Sequence, residues 1–195
     1  MSNTTSESSA LMSEDNTDLS SPKKLVLFHQ FRSHFNEWVF GPIDRLICSR
    51  DALIGFIFMT CAIDYLAGFL FGESTEGHVK KAFTGFIDKY FLPGIYDADE
   101  LYDSLRNGLV HMFTIKNKTY ALIHNHPEVH LKNSLAGQII LNASNFRDDL
   151  VSAANRYFND VETKLDFLDK WHTRFDRDGF LYSSALEVTS QQTKN

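Results

Sequence analysis

Residues 106–111 read Arg-Asn-Gly-Leu-Val-His and set a permanent cation, an amide and a titratable imidazole within two helical turns. This combination suits phosphodiester chemistry. The Arg106 guanidinium stays charged and can grip a phosphate through two parallel hydrogen bonds, while the His111 imidazole can move a proton near neutral pH without help from a metal. Asn107 can orient either the imidazole or the phosphate.

The element that must carry these residues can be read from its start. Asp97 followed by Glu100 has the spacing of a capping box, and Asp99 adds negative charge where a helix dipole favours it, so a helix should begin near Asp97. At about 100° per residue, Leu101, Leu105, Leu109 and Met112 share a sector of roughly 80°, flanked by Tyr102 and Phe113, and should face a core. Glu100, Asp103, Ser104, Asn107 and His111 fall on the polar side, with Arg106 at the border. An ordinary solvated helix face shows the same stripe. Gly108 inside the helix costs about 1 kcal/mol relative to Ala, which predicts a close approach to the backbone there, by a partner helix or a phosphate.

A second cluster competes for attention. His124, His126 and His130 lie in the string His-Asn-His-Pro-Glu-Val-His, and imidazoles with the Glu128 carboxylate are plausible zinc ligands by type. Strand alternation would point His124 and His126 to one side. Pro127 interrupts the strand, and no cysteine partner or zinc spacing accompanies the histidines, so the expectation is polar residues near a turn and no metal. His124 or His126 can instead serve as an auxiliary to His111. Asp64, the one acid inside a long apolar stretch, is a further auxiliary: it either reaches the site and tunes His111 or satisfies a local structural partner.

Arginine, a polar residue and, five positions after the arginine, a histidine resemble the Arg-polar-x3-His signature of HEPN domains. The late position of the motif in its helix and the order of amphipathic helices over about residues 50–175 agree with that resemblance. It implies an up-and-down bundle of four to five helices, a homodimer with the motif of each subunit meeting in a shared cleft, and metal-independent RNA cleavage with no cofactor. Carried over, the catalytic residues are Arg106 and His111 with Asn107 as polar partner. Members act as ribonucleases in toxin-antitoxin and antiviral defence systems, which implies an antitoxin or other protein partner. Many have lost activity and bind nucleotide, RNA or protein instead. Physical reasoning is compatible: cleavage by a ribose 2′-hydroxyl needs a base and an acid, one motif offers one imidazole, and a two-fold dimer supplies the second.

Composition bounds the proposal. With 195 residues and 43% hydrophobic content, the chain can build one domain with a substantial core. The formal net charge of -6 is unpromising for RNA, but it is unevenly spread. Glu7, Glu14, Asp15 and Asp18 stand in the first 21 residues without a single Lys or Arg, whereas between positions 106 and 132 the bases Arg106, Lys116, Lys118 and Lys132 face only Glu128. Lys116, Lys118 and Lys132 are therefore candidate substrate contacts. Walker and dinucleotide loops, a Gly-x-Ser-x-Gly elbow and internal repeats are all missing from the sequence.

The chain divides into an acidic disordered tail at 1–21, a single domain at 22–175 and a loose tail at 176–195. Cys48 and Cys61 read as buried thiols, and with no basic, apolar leader at the start the expected compartment is the cytoplasm. A helix over 28–40 should stop at Gly41-Pro42. Residues 50–71 are apolar enough to raise a membrane span, but Asp64, Asp51, Arg50 and several glycines favour a buried central helix and no membrane. A helix over 76–91 follows. Short apolar runs at 119–125 and 138–142 predict a small hairpin or sheet insert over 119–142, with 129–131 pairing between them. One long helix capped by Ser144 should then run over 144–175.

Overall fold

A computed structural model describes residues 21–49 and 51–179, so Arg50 and most of both expected tails lie outside the described residues. The inner ends of those tails are helical: Ser21 opens the first helix and the last one runs to Asp178. The fold is mainly helical, with one small two-stranded parallel sheet.

Helix α1 spans Ser21–Phe35 and α2 spans Gly41–Cys48. Gly41-Pro42 does not stop the helix. A π turn, Asn36–Phe40, joins α1 to α2, and the Gly41 N–H reaches back to the Asn36 carbonyl. Pro42 lacks an N–H and its ring crowds the preceding turn; the wider π turn takes up that crowding and lets the helix continue. Phe28, Phe31 and Phe35 point inward from α1.

Helix α3, Ala52–Phe71, is the centre of the domain and packs against α2, α4 (Val79–Tyr90), α6 (Ala143–Thr163) and α7 (Leu165–Asp178). It is long and apolar enough to cross a membrane, yet 56% of its apolar window is buried in the domain, as a core helix requires. Phe56, Met59, Ile63 and Leu66 are the buried side. Aromatic rings fill the space around it: Trp171 meets Phe28 edge-on at 5.2 Å and Phe31 at 5.4 Å, an arrangement that adds to plain area burial. Cys48 and Cys61 are free thiols, and both are exposed rather than buried as the sequence reading expects.

The carboxyl-terminal helix is broken where the sequence predicts continuity. Lys164 is extended, and α7 begins at Leu165. The break resets the helical phase, so Leu165, a core position on an unbroken helix, is 58% exposed, and Phe167 is buried in its place. The start also differs. The Asn142 side chain, rather than Ser144, caps α6 by accepting from the N–H groups of Ser144 and Asn145 at 3.0 and 3.3 Å.

Strands β1, Tyr120–Ile123, and β2, Ile139–Asn142, pair in parallel with Tyr120 opposite Ile139. A hairpin is therefore excluded. Parallel strands need a crossover, and residues 124–138 supply one, including a 3-10 turn at Pro127–Val129. The crossover returns to lie antiparallel beside β2, with Leu131 donating to the Ile140 carbonyl at 2.7 Å and Ile140 donating to the Lys132 carbonyl at 2.9 Å.

Candidate functional site

The motif helix starts as read: the Asp97 carboxylate accepts from the Glu100 N–H at 2.9 Å and opens α5, Ala98–Leu101. The rest is not α-helical. Tyr102–Val110 is a π-helix. In an α-helix, residues five apart diverge by about 140°, but π bonding closes a ring at i→i+5 and brings such residues back to nearly one side. Arg106 and His111 are that pair. Nη1 of Arg106 lies 2.7 Å from Nε2 of His111. Arginine can only donate, so Nε2 accepts and the imidazole proton sits on Nδ1.

The same change of phase moves the end of the stripe. Leu101, Leu105 and Leu109 are buried as expected, whereas Met112 and Phe113 are 50% and 70% exposed. Gly108 meets its close approach, made by the chain itself. The segment after His111 folds back so tightly that a Cβ on Gly108 would lie 2.5 Å from the Thr114 carbonyl oxygen and 2.8 Å from the Lys116 nitrogen. Ser104 Oγ, between Glu100 Oε1 and the Lys116 carbonyl at 3.1 Å, fastens that segment to the helix.

Arg106 is held from several sides. Its Nη2 pairs with Asp64 of α3 at 3.4 Å, its guanidinium lies 5.7 Å from the Tyr102 ring centre, and its Nε is buried with no hydrogen-bond acceptor. Asn107 makes no hydrogen bond to His111; its side-chain amide donates to Asp103 at 3.3 Å. Asp103 and Asp99 are in turn paired with Lys80 at 3.5 and 2.8 Å. The Asp99 hydrogen bond is the main cause that holds the Lys80 ammonium above its usual range. One turn before Asp64, Cys61 is no activated nucleophile: partial loss of water around the sulfur pushes its thiol up, the Asp64 charge adds to this, and the Arg106 charge opposes it.

The structure thus brings together Arg106, His111 and Asp64, with Asn107 beside Arg106 at 3.5 Å. The Lys116 backbone lies over Gly108, next to the pair, and the side chains of Lys116, Lys118 and Lys132 are exposed. No hydrogen bond or ion pair joins Lys132, His124 or His126 to Arg106 or His111. Strand β1 ends at Ile123, so strand alternation does not extend to the histidines. His124 is exposed, His126 adopts a left-handed backbone and its Nδ1 lies 3.0 Å from Glu128, and no group of three His, Cys, Asp or Glu able to hold a metal forms among the described residues.

His130 does something the sequence did not disclose. Its Nδ1 accepts from the Asn142 N–H at 3.0 Å and its Nε2 lies 3.0 Å from Tyr96 Oη, which donates to Asp149 at 2.5 Å. Burial opposes ionisation of Asp149, but the His130 and Tyr96 hydrogen bonds prevail and hold its carboxyl below the usual range. Burial and the Asp149 contact push the Tyr96 hydroxyl far above its usual range. This network ties the crossover to α6 and has a structural character.

No protein-family model, curated protein or solved structure matches the chain. The fold and site define a mainly helical domain bearing an Arg–His–Asp constellation at its surface.

Proposed function

We propose that the protein is a HEPN-like, metal-independent endoribonuclease that acts as a homodimer in the cytoplasm, within a toxin-antitoxin or defence system. The observation that carries this reading is the 2.7 Å contact between Arg106 and His111 at an exposed position. It offers a phosphate-binding cation and a neutral imidazole at one point on the surface.

The chemistry follows from the protonation geometry. A phosphodiester is a stronger acceptor for a guanidinium than an imidazole nitrogen, so the incoming phosphate draws Arg106 off Nε2 and exposes its lone pair. Nε2 of His111 then takes the proton of a ribose 2′-hydroxyl, the 2′-oxygen bonds to phosphorus, and the bond from phosphorus to the 5′-oxygen breaks. His111 of the partner subunit, once its own Arg106 has also moved onto the phosphate and its Nε2 has taken up a proton from solvent, gives that proton to the leaving oxygen. The products are a 2′,3′-cyclic phosphate and a 5′-hydroxyl, and Arg106 stabilises the charge on the phosphoryl oxygens in between.

Support for a second copy comes from α3. Leu53, Ile54 and Phe58 are 46%, 38% and 45% exposed, and at about 100° per residue Ile54, Phe58 and Cys61 fall within about 60° of one another, with Leu53 and Asp64 together on one flank of that sector. An apolar helix face that leads to the site is the kind of surface a subunit partner covers. A second reading, a silent module that binds nucleotide, RNA or a protein, is favoured by one observation: Asp64 neutralises Arg106 and competes with phosphate for it. The end chemistry of the products separates the readings. The ribonuclease leaves cyclic phosphate ends and spares RNA that carries 2′-deoxyribose at the cut position; the module leaves RNA whole.

A further inference from the structure

Phe113 stands two residues beyond His111 and is the most exposed phenylalanine among the described residues, at 70%. Solvent exposure alone is unremarkable for one apolar residue, but its backbone is unusual. Phe113 has φ of +51°, a left-handed conformation that a bulky side chain rarely adopts. The surroundings enforce it. The Phe113 N–H donates to Leu109 at 3.1 Å, the Thr114 N–H donates to Gly108 at 3.3 Å, and the Lys116 carbonyl is tied to Ser104 at 3.1 Å. The turn is clamped to the helix at Gly108, where the chain lies too close for any other residue. Strain of this sort persists where the surrounding structure over-determines it, and such places cluster at ligand clamps. The ring is therefore presented to solvent from a clamped turn, two residues after His111 in the chain and just before exposed Lys116 and Lys118.

We infer that Phe113 is a stacking platform for an unpaired base next to the phosphate held by Arg106, so that the site takes single-stranded RNA. This deepens the ribonuclease reading and rests on it. A duplex keeps its bases stacked on one another and offers no free face to a protruding ring, whereas a single strand can splay one out onto an aromatic side chain. Lysines that follow the ring in sequence fit a backbone that continues past the stacked base. Stacking tolerates any base, so it selects strandedness more than sequence.

The test uses a single-stranded RNA oligonucleotide that contains 2-aminopurine and is made uncleavable by 2′-O-methyl groups, with the full chain as wild type, Phe113→Ala and Phe113→Trp. Wild type and Phe113→Trp should bind the single strand better than its duplex and quench the fluorescent base. Phe113→Ala should bind about ten-fold more weakly, as loss of one stacked base predicts, with the quench gone and folding and sedimentation unchanged. Equal affinity and quench in Phe113→Ala overturns the inference. So does dissociation of the dimer in that variant, which would make Phe113 a subunit contact. If Phe113→Ala is unaffected while Arg106→Ala abolishes cutting of ordinary RNA, the ribonuclease stands and only the platform is lost; a wild-type protein that binds no RNA removes both.

Discussion

Arg106 and His111 stand five residues apart in sequence and 2.7 Å apart in space, and the π-helix that carries Arg106 closes that gap. On an α-helix the two would point away from each other. The site thus depends on an unusual local backbone, which gives Gly108 and the returning segment at Thr114 a direct part in forming it.

Gly108→Ala tests that dependence. A methyl group there meets the Thr114 carbonyl at 2.5 Å, with backbone atoms on both sides. Overpacking of this kind costs about 1–3 kcal/mol. We expect a lower melting temperature together with loss of RNA cleavage; full stability and activity would show that the fold-back is slack.

Asp64→Asn removes the charge that competes for Arg106 while keeping the side-chain shape. Binding of single-stranded RNA should tighten several-fold, with a steeper dependence on salt as Arg106 engages phosphate more fully. Weaker binding in a folded variant would mean that Asp64 positions Arg106 more than it masks it.

Phe58→Glu places a charge on the exposed face of α3. Sedimentation should show a dimer turning into a folded monomer, with cleavage lost although Arg106 and His111 are intact. A wild-type protein that sediments as a monomer at all concentrations would remove the shared cleft.

Asp149→Asn probes the buried network with His130 and Tyr96. The folded carboxyl titrates below its unfolded value, so its stabilisation is present above the unfolded pKa and is lost as pH falls through the folded one. The variant should be less stable than wild type by about 1.5–3 kcal/mol near neutral pH, the usual worth of hydrogen bonds to a charged group. In urea unfolding the difference should shrink in acid below the usual carboxylate range; a pH-independent difference would assign the loss to packing.

Much of the fold was legible because it is governed by local rules. The Asp97 cap, the helix that ends at Tyr90, the central place of α3 and the tightness at Gly108 each follow from residue type and spacing. The departures arise where distant parts of the chain decide. Pro42 tolerates a helix only through the π turn before it, and nothing in the composition of residues 36–40 or 102–110 marks a π-helix. The break at Lys164 has neither Gly nor Pro to announce it. Parallel pairing of β1 with β2 depends on the crossover, and His130 turns inward only because Tyr96 and Asn142 receive it. For the site, residue types were readable from the sequence, whereas the Arg106–His111 contact was hidden by the assumption of α-helical phase.

The central claim is tested most directly by the rate at which the full chain cuts single-stranded RNA in excess chelator, measured for wild type, Arg106→Ala and His111→Ala. General acid–base catalysis contributes about 10²- to 10⁴-fold, so each variant should lose at least about a hundred-fold while it keeps its fold and its dimer. Cutting that survives both substitutions, or a wild-type protein that cuts nothing, would contradict the account.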